Sequence, residues 1–320
     1  MPRKTSEKSQ SPSNSVAQLE EEIKELREKK NAVILAHNYQ RIEVQAVADL
    51  LGDSLGLSRA AKEVEDADII VFAGVYFMAE TAKIVSPERK VLIPDKNAGC
   101  PLANQCSADM IKKARKKYGE DIPVIVYVNT TAETKAAADL TCTSSNSVKV
   151  IKQLNAKRVI FGPDRNLAHY AQQQLPEVEI IPIPEDGHCY VHRRFDVQSI
   201  QQLKARYPDA VVFAHPECNP DIQDISDYVG STSAMYDFGM TTDVDTIILA
   251  TEKGLVDRLN KERPEKRFLV AKQTAICYNM KKITLKKVRD ALLKEQFEVI
   301  VPENIRLEAE KAIERMLELS

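Results

Sequence analysis

This 320-residue sequence has almost no excess charge of either sign: 45 basic against 47 acidic residues leave a net charge of -2. A chain so balanced carries no global field to attract nucleic acid or an anionic membrane, so any anion it handles is met by local groups. It also has no stretch approaching the ~18 consecutive apolar residues of a membrane helix. The first fifteen residues, MPRKTSEKSQSPSNS, lack the apolar centre of a secretory signal. They read as a disordered tail and place the protein in the cytoplasm. Cysteine is sparse, with six residues and no CxxC pair. In a reducing compartment these are thiols, ligands or nucleophiles rather than a disulfide framework. The remaining composition, 43% hydrophobic and 29% charged, is that of a soluble globular chain long enough for two or three domains.

What the sequence does have is internal order. Cys189 lies 89 positions after Cys100 and 88 before Cys277, and each follows a short apolar run: VLIPDKNAGC, IIPIPEDGHC and FLVAKQTAIC. Three further features recur in step. Strand-like runs lead into polar residues at AVILAHNYQ, PVIVYVNTT and AVVFAHPEC. The segments ADLLGDS, ADLTCTSS and SDYVGSTS follow, with Asp49, Asp139 and Asp227 at 90 and 88 positions' separation, and then DIIVFAG, RVIFGPD and TIILATE. Four features in the same order three times indicate a triplication. Continuous Val/Ile-rich runs between helical patterns indicate parallel strands covered on both faces.

The expected fold is therefore α/β, with three similar doubly wound parallel-sheet domains related by pseudo-threefold symmetry and an active site at their common interface. The boundaries fall at 16–101, 102–190 and 191–280, and the C-terminal helices within 281–320 are expected to pack back on the first domain. Ser15 caps the first helix, with Gln18 at its third position.

In open parallel sheets, ligands bind beyond the carboxyl ends of the strands. Those positions hold His37, Asn38 and Tyr39; Tyr127 and Asn129; His215 and Glu217. Singly, such residues also serve as ordinary loop and cap residues. The turns at Asp53-Ser54, Thr143 to Asn146 and Gly230 to Ser233 suit phosphate or carboxylate at helix starts. Plain N-capping selects the same residue types. Thiols converging from three domains suit zinc, with His188 or His192 as a fourth ligand, or a 4Fe-4S cluster with one iron lacking a protein ligand. Buried small hydrophobes are the other reading of cysteine. It is the one adopted for Cys106, Cys142 and Cys218, which break the period.

The motifs AHNYQ, GDSLGLSR, MAET, YVNTTAETKAAAD, TSSN, FGPDRNLAHY, GHCYVH, HPEC and GSTS resemble the quinolinate synthase family, in family order from about residue 20 onward. The resemblance implies condensation of iminoaspartate with dihydroxyacetone phosphate to quinolinate, with release of phosphate and two waters, in de novo NAD biosynthesis. It implies one 4Fe-4S cluster on Cys100, Cys189 and Cys277, the shorter form of the family, since no CxxCxxC run closes the chain. By motif, Tyr39, His192, His215 and Glu217 are implied acid-base residues, and His37, Ser54, Tyr127, Asn129, Ser144 and Thr232 substrate binders. A carboxylate walled in near a cluster is expected to have a raised pKa. The other readings are an aconitase-like 4Fe-4S hydro-lyase and a non-catalytic zinc-containing ligand-binding protein. The chain is expected to work on small molecules, as a monomer or homodimer.

Overall fold

The structure is a computed structural model and describes residues 15–64 and 66–320. The tail read from the first fifteen residues lies outside the described residues except for Ser15. That residue is the N-cap of α1 (Val16–Lys29), accepting a hydrogen bond from Gln18 N at 3.2 Å.

The first unit continues with β1 (Ala32–His37), α2 (Ile42–Gln45), β2 (Leu50–Gly52), α3 (Ser54–Lys62), β3 (Ile69–Ala73), α4 (Tyr76–Val85) and β4 (Lys90–Leu92). The second runs α5 (Ala108–Tyr118), β5 (Val124–Tyr127), α6 (Ala132–Ala137), β6 (Leu140–Cys142), α7 (Ser147–Gln153), β7 (Arg158–Gly162), α8 (Arg165–Gln174) and β8 (Glu179–Pro182). The third runs α9 (Val197–Arg206), β9 (Val211–Ala214), α10 (Pro220–Asp224), β10 (Tyr228–Val229), α11 (Thr232–Thr241), β11 (Thr246–Ala250), α12 (Lys253–Glu262) and β12 (Arg267–Val270). Helices α13 (Leu285–Lys294) and α14 (Glu303–Glu318) end the chain.

Each unit builds one four-stranded parallel sheet in the order second, first, third, fourth strand, so the molecule is an α/β protein of three similar domains. The strands alternate with helices that cover them, which is why β3 is buried along its whole length and reads as an unbroken apolar run. The aspartate signature of the triplication turns out to be structural. Asp49 accepts the backbone N–H of Ile34 at 2.8 Å, Asp139 that of Val124 at 2.6 Å, and Asp227 that of Val212 at 2.8 Å. Each carboxylate thus fixes the entry of its unit's first strand against the next strand.

One hydrophobic core runs through the first and second units, a smaller one around Ile111 and Val124 lies within the second unit, and the third unit has its own. Helix α13 packs on α1 and β3 of the first unit. The expectation for α14 is corrected: it lies chiefly across α6 and β6 of the second unit, with a lesser contact to α4. Its buried face of Ala309, Ala312, Ile313 and Met316 fills the space over β6, where the Thr141 hydroxyl donates to Ala312 O at 3.4 Å. Among the described residues no helix is long and apolar enough to cross a membrane.

Candidate active site

Because every strand is parallel to its neighbours, each sheet offers all its strand exits on one edge. The first and third strands are neighbours while the second lies on the first strand's other side, so the first-strand exit sits at the crevice where connections diverge. The three exits and the three cysteine loops line one pocket.

The lining repeats in tiers, one residue per unit. Cys100, Cys189 and Cys277 form one; His37, Tyr127 and His215 a second; Tyr39, Asn129 and Glu217 a third; Ser54, Ser144 and Thr232 a fourth. His192, three residues after Cys189, also lines it. Asn38 and His188, also named from the sequence, are not among the lining residues: Asn38 is bonded to Thr232 and Arg258, and His188 to Asp186 O and Arg193. Cys106, Cys142 and Cys218 are instead buried in the cores.

The thiols sit alike. Each cysteine precedes a one-turn helix, Leu102–Asn104, His192–Arg194 or Met280–Lys282. Burial pushes all three thiols up, Cys100 to about 12, and backbone N–H groups of Ala103, His192 and Met280 oppose that shift. Donors of this kind ionise readily only beside a bound cation, which fits soft metal ligands. Cys189, His192 and Glu217 also bring one ligand atom each within 4.8 Å of one another. Two carboxylates steady the loops: Asp164 accepts from Cys189 N and Glu252 from Cys277 N, each at 3.0 Å.

Around the thiols the polar groups interlock. His37 Nδ1 accepts from Tyr39 N at 3.1 Å and His215 Nδ1 from Glu217 N at 3.2 Å, which leaves each Nε2 as the protonated nitrogen. Burial lowers the His37 pKa to about 4 and that of His215 to about 3, so both rings are neutral near pH 7. Burial, then the nearby Glu217 charge, holds the Tyr39 and Tyr127 phenols well above their ordinary value, as protonated donors.

Glu217 departs from the sequence expectation. Burial alone would raise it, but His192 Nδ1 lies 2.7 Å from its Oε2. That contact, with Tyr127 donating to the carboxylate and Asn129 Nδ2 at 3.5 Å, holds it well below the usual carboxylate range. The expected raised pKa is thus corrected: a histidine three residues after Cys189 reaches the carboxylate and outweighs the burial.

The turns divide their labour. Asp53 and Ser231 are the N-caps of α3 and α11, accepting from Gly56 N at 2.9 Å and Ala234 N at 3.3 Å. The next residues, Ser54 and Thr232, line the cavity, as does Ser144 in the corresponding turn. Stitches between units hold the arrangement: Ser145 Oγ to Asp53 at 2.6 Å, Asn38 Nδ2 to Thr232 Oγ1 at 3.2 Å, and Asn166 Nδ2 to Glu217 O at 3.0 Å.

Sequence reading missed Thr251 and Tyr190. The Thr251 hydroxyl sits 2.8 Å from Tyr39 Oη and 3.2 Å from His192 Nε2, joining the first strand exit to the turn after Cys189. Its place after β11 was the available signal, but the other units have Gly74 and Pro163 there. Tyr190 lines the cavity and donates to Cys277 Sγ at 3.6 Å.

Comparison with known proteins identifies the assembly. The family model described as "Quinolinate synthetase A protein" matches residues 21–318. Curated quinolinate synthases are similar over nearly their whole length. That of Pyrococcus furiosus is 50% identical over 305 residues, 95% of this chain and 99% of the relative. That of Methanocaldococcus jannaschii is 49% identical over 304 residues, covering 93% and 98%. That of Methanothermobacter thermautotrophicus is 46% identical over 303 residues, covering 95% and 99%. These matches favour neither a hydro-lyase nor a non-catalytic zinc protein: the chain belongs to the quinolinate synthase family, an enzyme family of NAD biosynthesis.

Proposed function

We propose that this enzyme condenses iminoaspartate with dihydroxyacetone phosphate in the cytoplasm, giving quinolinate, phosphate and two waters. The observation that carries the reading is the convergence of three thiols, two neutral imidazoles, two phenols and one ionised carboxylate on a single pocket. Cys100, Cys189 and Cys277 would hold a 4Fe-4S cluster; three thiols, with the remaining cysteines packed in the cores, suit a cluster with one iron free of protein ligands. When bound, such a cluster supplies a Lewis acid at that iron.

The side chains divide the remaining work. Ser54 and Thr232, at the starts of α3 and α11, and Ser144 in its turn offer hydroxyls and free backbone N–H groups to phosphate and carboxylate oxygens. Neutral His37 and His215 present an N–H without adding charge. Glu217, ionised, accepts the protons removed in tautomerisation; the Tyr39 phenol donates its proton to departing oxygen and regains one from Glu217 through His192, whose ring lies 2.7 Å from the carboxylate and 3.4 Å from Tyr39 Oη. Thr251 orients that phenol. Asn129 and Tyr127 keep the Glu217 carboxylate in place.

The test is an anaerobic preparation, assayed for iron, sulfide, quinolinate and released phosphate. A brown protein with broad absorbance near ~400 nm and equal yields of quinolinate and phosphate is expected. Colourless active protein would overturn the cluster, and phosphate release without quinolinate would overturn the reaction.

A further inference from the structure

Each cysteine is followed, at the fifth position, by a long side chain ending in a hydrogen-bond donor: Gln105, Arg194 and Lys282. The three types share little else, yet they are used in one way. Gln105 Nε2 donates to His188 O at 3.2 Å and its Oε1 accepts from His188 N at 2.9 Å, tying the first cysteine loop to the residue before Cys189. Arg194 donates to Thr274 O at 2.9 Å, three residues before Cys277. Lys282 Nζ donates to Asn97 O at 2.7 Å, three residues before Cys100. The links run from the first loop to the second, the second to the third, and the third back to the first.

We propose that Gln105, Arg194 and Lys282 form a closed clasp that positions the three cysteine loops against one another, so that opening one link loosens all three thiols. Each loop belongs to a different sheet, so their mutual register depends on links between loops, to which Tyr190 on Cys277 and Lys287 on Asp95 also contribute. At the second-to-third junction the clasp is doubled: Arg194 lies 5.7 Å from the Tyr190 ring centre and 5.8 Å from that of Tyr278, and Tyr278 N donates to Tyr190 Oη at 3.0 Å. The first loop is held least within its own unit. Asp164 and Glu252 bind the N–H groups of Cys189 and Cys277, whereas Val75 occupies the matching N-cap position before α4. Cys100 therefore relies most on the clasp.

These are positioning residues, and the clasp concerns the thiol triangle itself; only its consequence for iron retention rests on the iron-sulfur reading above. The test follows iodoacetamide modification of the cluster-free, full-length protein, with Cys100, Cys189 and Cys277 read separately by peptide mass spectrometry. The three are part-exposed, and alkylation at alkaline pH, where more thiolate forms, gives measurable rates. Lys282 is a surface side chain, so Lys282→Ala leaves the fold intact. With one hydrogen bond lost, it should speed modification about two- to tenfold at all three cysteines, most at Cys100, and Lys282→Arg should restore the slow rate. In a closed ring, Arg194→Ala combined with Lys282→Ala gives less than the product of the single effects. A change confined to Cys100, unchanged rates, or purely multiplicative effects overturns the clasp. In a second arm, anaerobically loaded Lys282→Ala should lose iron to a chelator faster by a similar factor. Wild-type protein without iron would sink the iron-sulfur reading and leave the alkylation comparison standing; normal iron content with unchanged alkylation sinks the clasp alone.

Discussion

The glycine two residues before Cys189 offers a sharp perturbation. A Cβ built on Gly187 would lie 1.8 Å from Pro163 O and 3.0 Å from Pro163 C. Real Cβ atoms keep at least 3.0 Å, and the obstacle is backbone, so the Gly187→Ala loop must retreat by at least about 1.2 Å. The retreat strains two hydrogen bonds, from Arg165 N to Gly187 O at 2.8 Å and from Cys189 N to Asp164 at 3.0 Å. Overpacking costs about 1–3 kcal/mol and the partial weakening of the two hydrogen bonds about 1 in total, so the variant should lose roughly 2–4 kcal/mol. For a chain of this size that is a fall of roughly 3–6 °C in Tm. The protein still folds, but its Cys189 thiol is displaced by half or more of a metal–sulfur bond length, about 2.3 Å. Iron content after anaerobic reconstitution should drop well below wild type. Gly99, immediately before Cys100, is the control, since nothing lies within 4 Å of its Cβ position and Gly99→Ala should be neutral. Wild-type iron and melting in Gly187→Ala, or equal damage in Gly99→Ala, would refute the argument.

Other outcomes follow from the same geometry. Glu217→Gln removes the acceptor carboxylate and should cut quinolinate formation by about 10²- to 10⁴-fold; turnover within threefold of wild type would remove Glu217 from the chemistry. Thr251→Val keeps shape but strips the partner of Tyr39 Oη and His192 Nε2, and should cost about 1–3 kcal/mol in urea unfolding together with a lower kcat. Burial depresses His37 to about 4, so between pH 6.5 and 4 the unfolded chain binds more protons than the folded one. Stability of the cluster-free protein should therefore fall as pH drops, by about 2 kcal/mol from His37 alone at pH 5, and His37→Gln should flatten that slope.

Much of this was readable in the sequence because the chain repeats itself. The strand runs, the cysteine spacing and the polar exits are local patterns, and a threefold copy lifts each above accident. What escaped was set by contacts between copies. Thr251 matters only because Tyr39 and His192 arrive from elsewhere, and its counterparts Gly74 and Pro163 gave no hint. The Glu217 carboxyl is lowered rather than raised because His192 reaches it from another loop. The aspartate signature, the most regular of all, proved to fasten strands rather than bind substrate. Helix α14 showed only its amphipathic spacing, which says that a face is buried and not on which domain.

The tiers around the cavity carry a last consequence. An assembly of three identical subunits would be obliged to place the same side chain three times at every level of its central chamber, and could favour only a guest as symmetric as itself. Joining the copies end to end lifts that obligation. One level here reads histidine, tyrosine, histidine and another tyrosine, asparagine, glutamate. The level of the thiols alone has stayed uniform, so one symmetric level is kept beside others that differ from copy to copy and can suit a guest with no rotational symmetry.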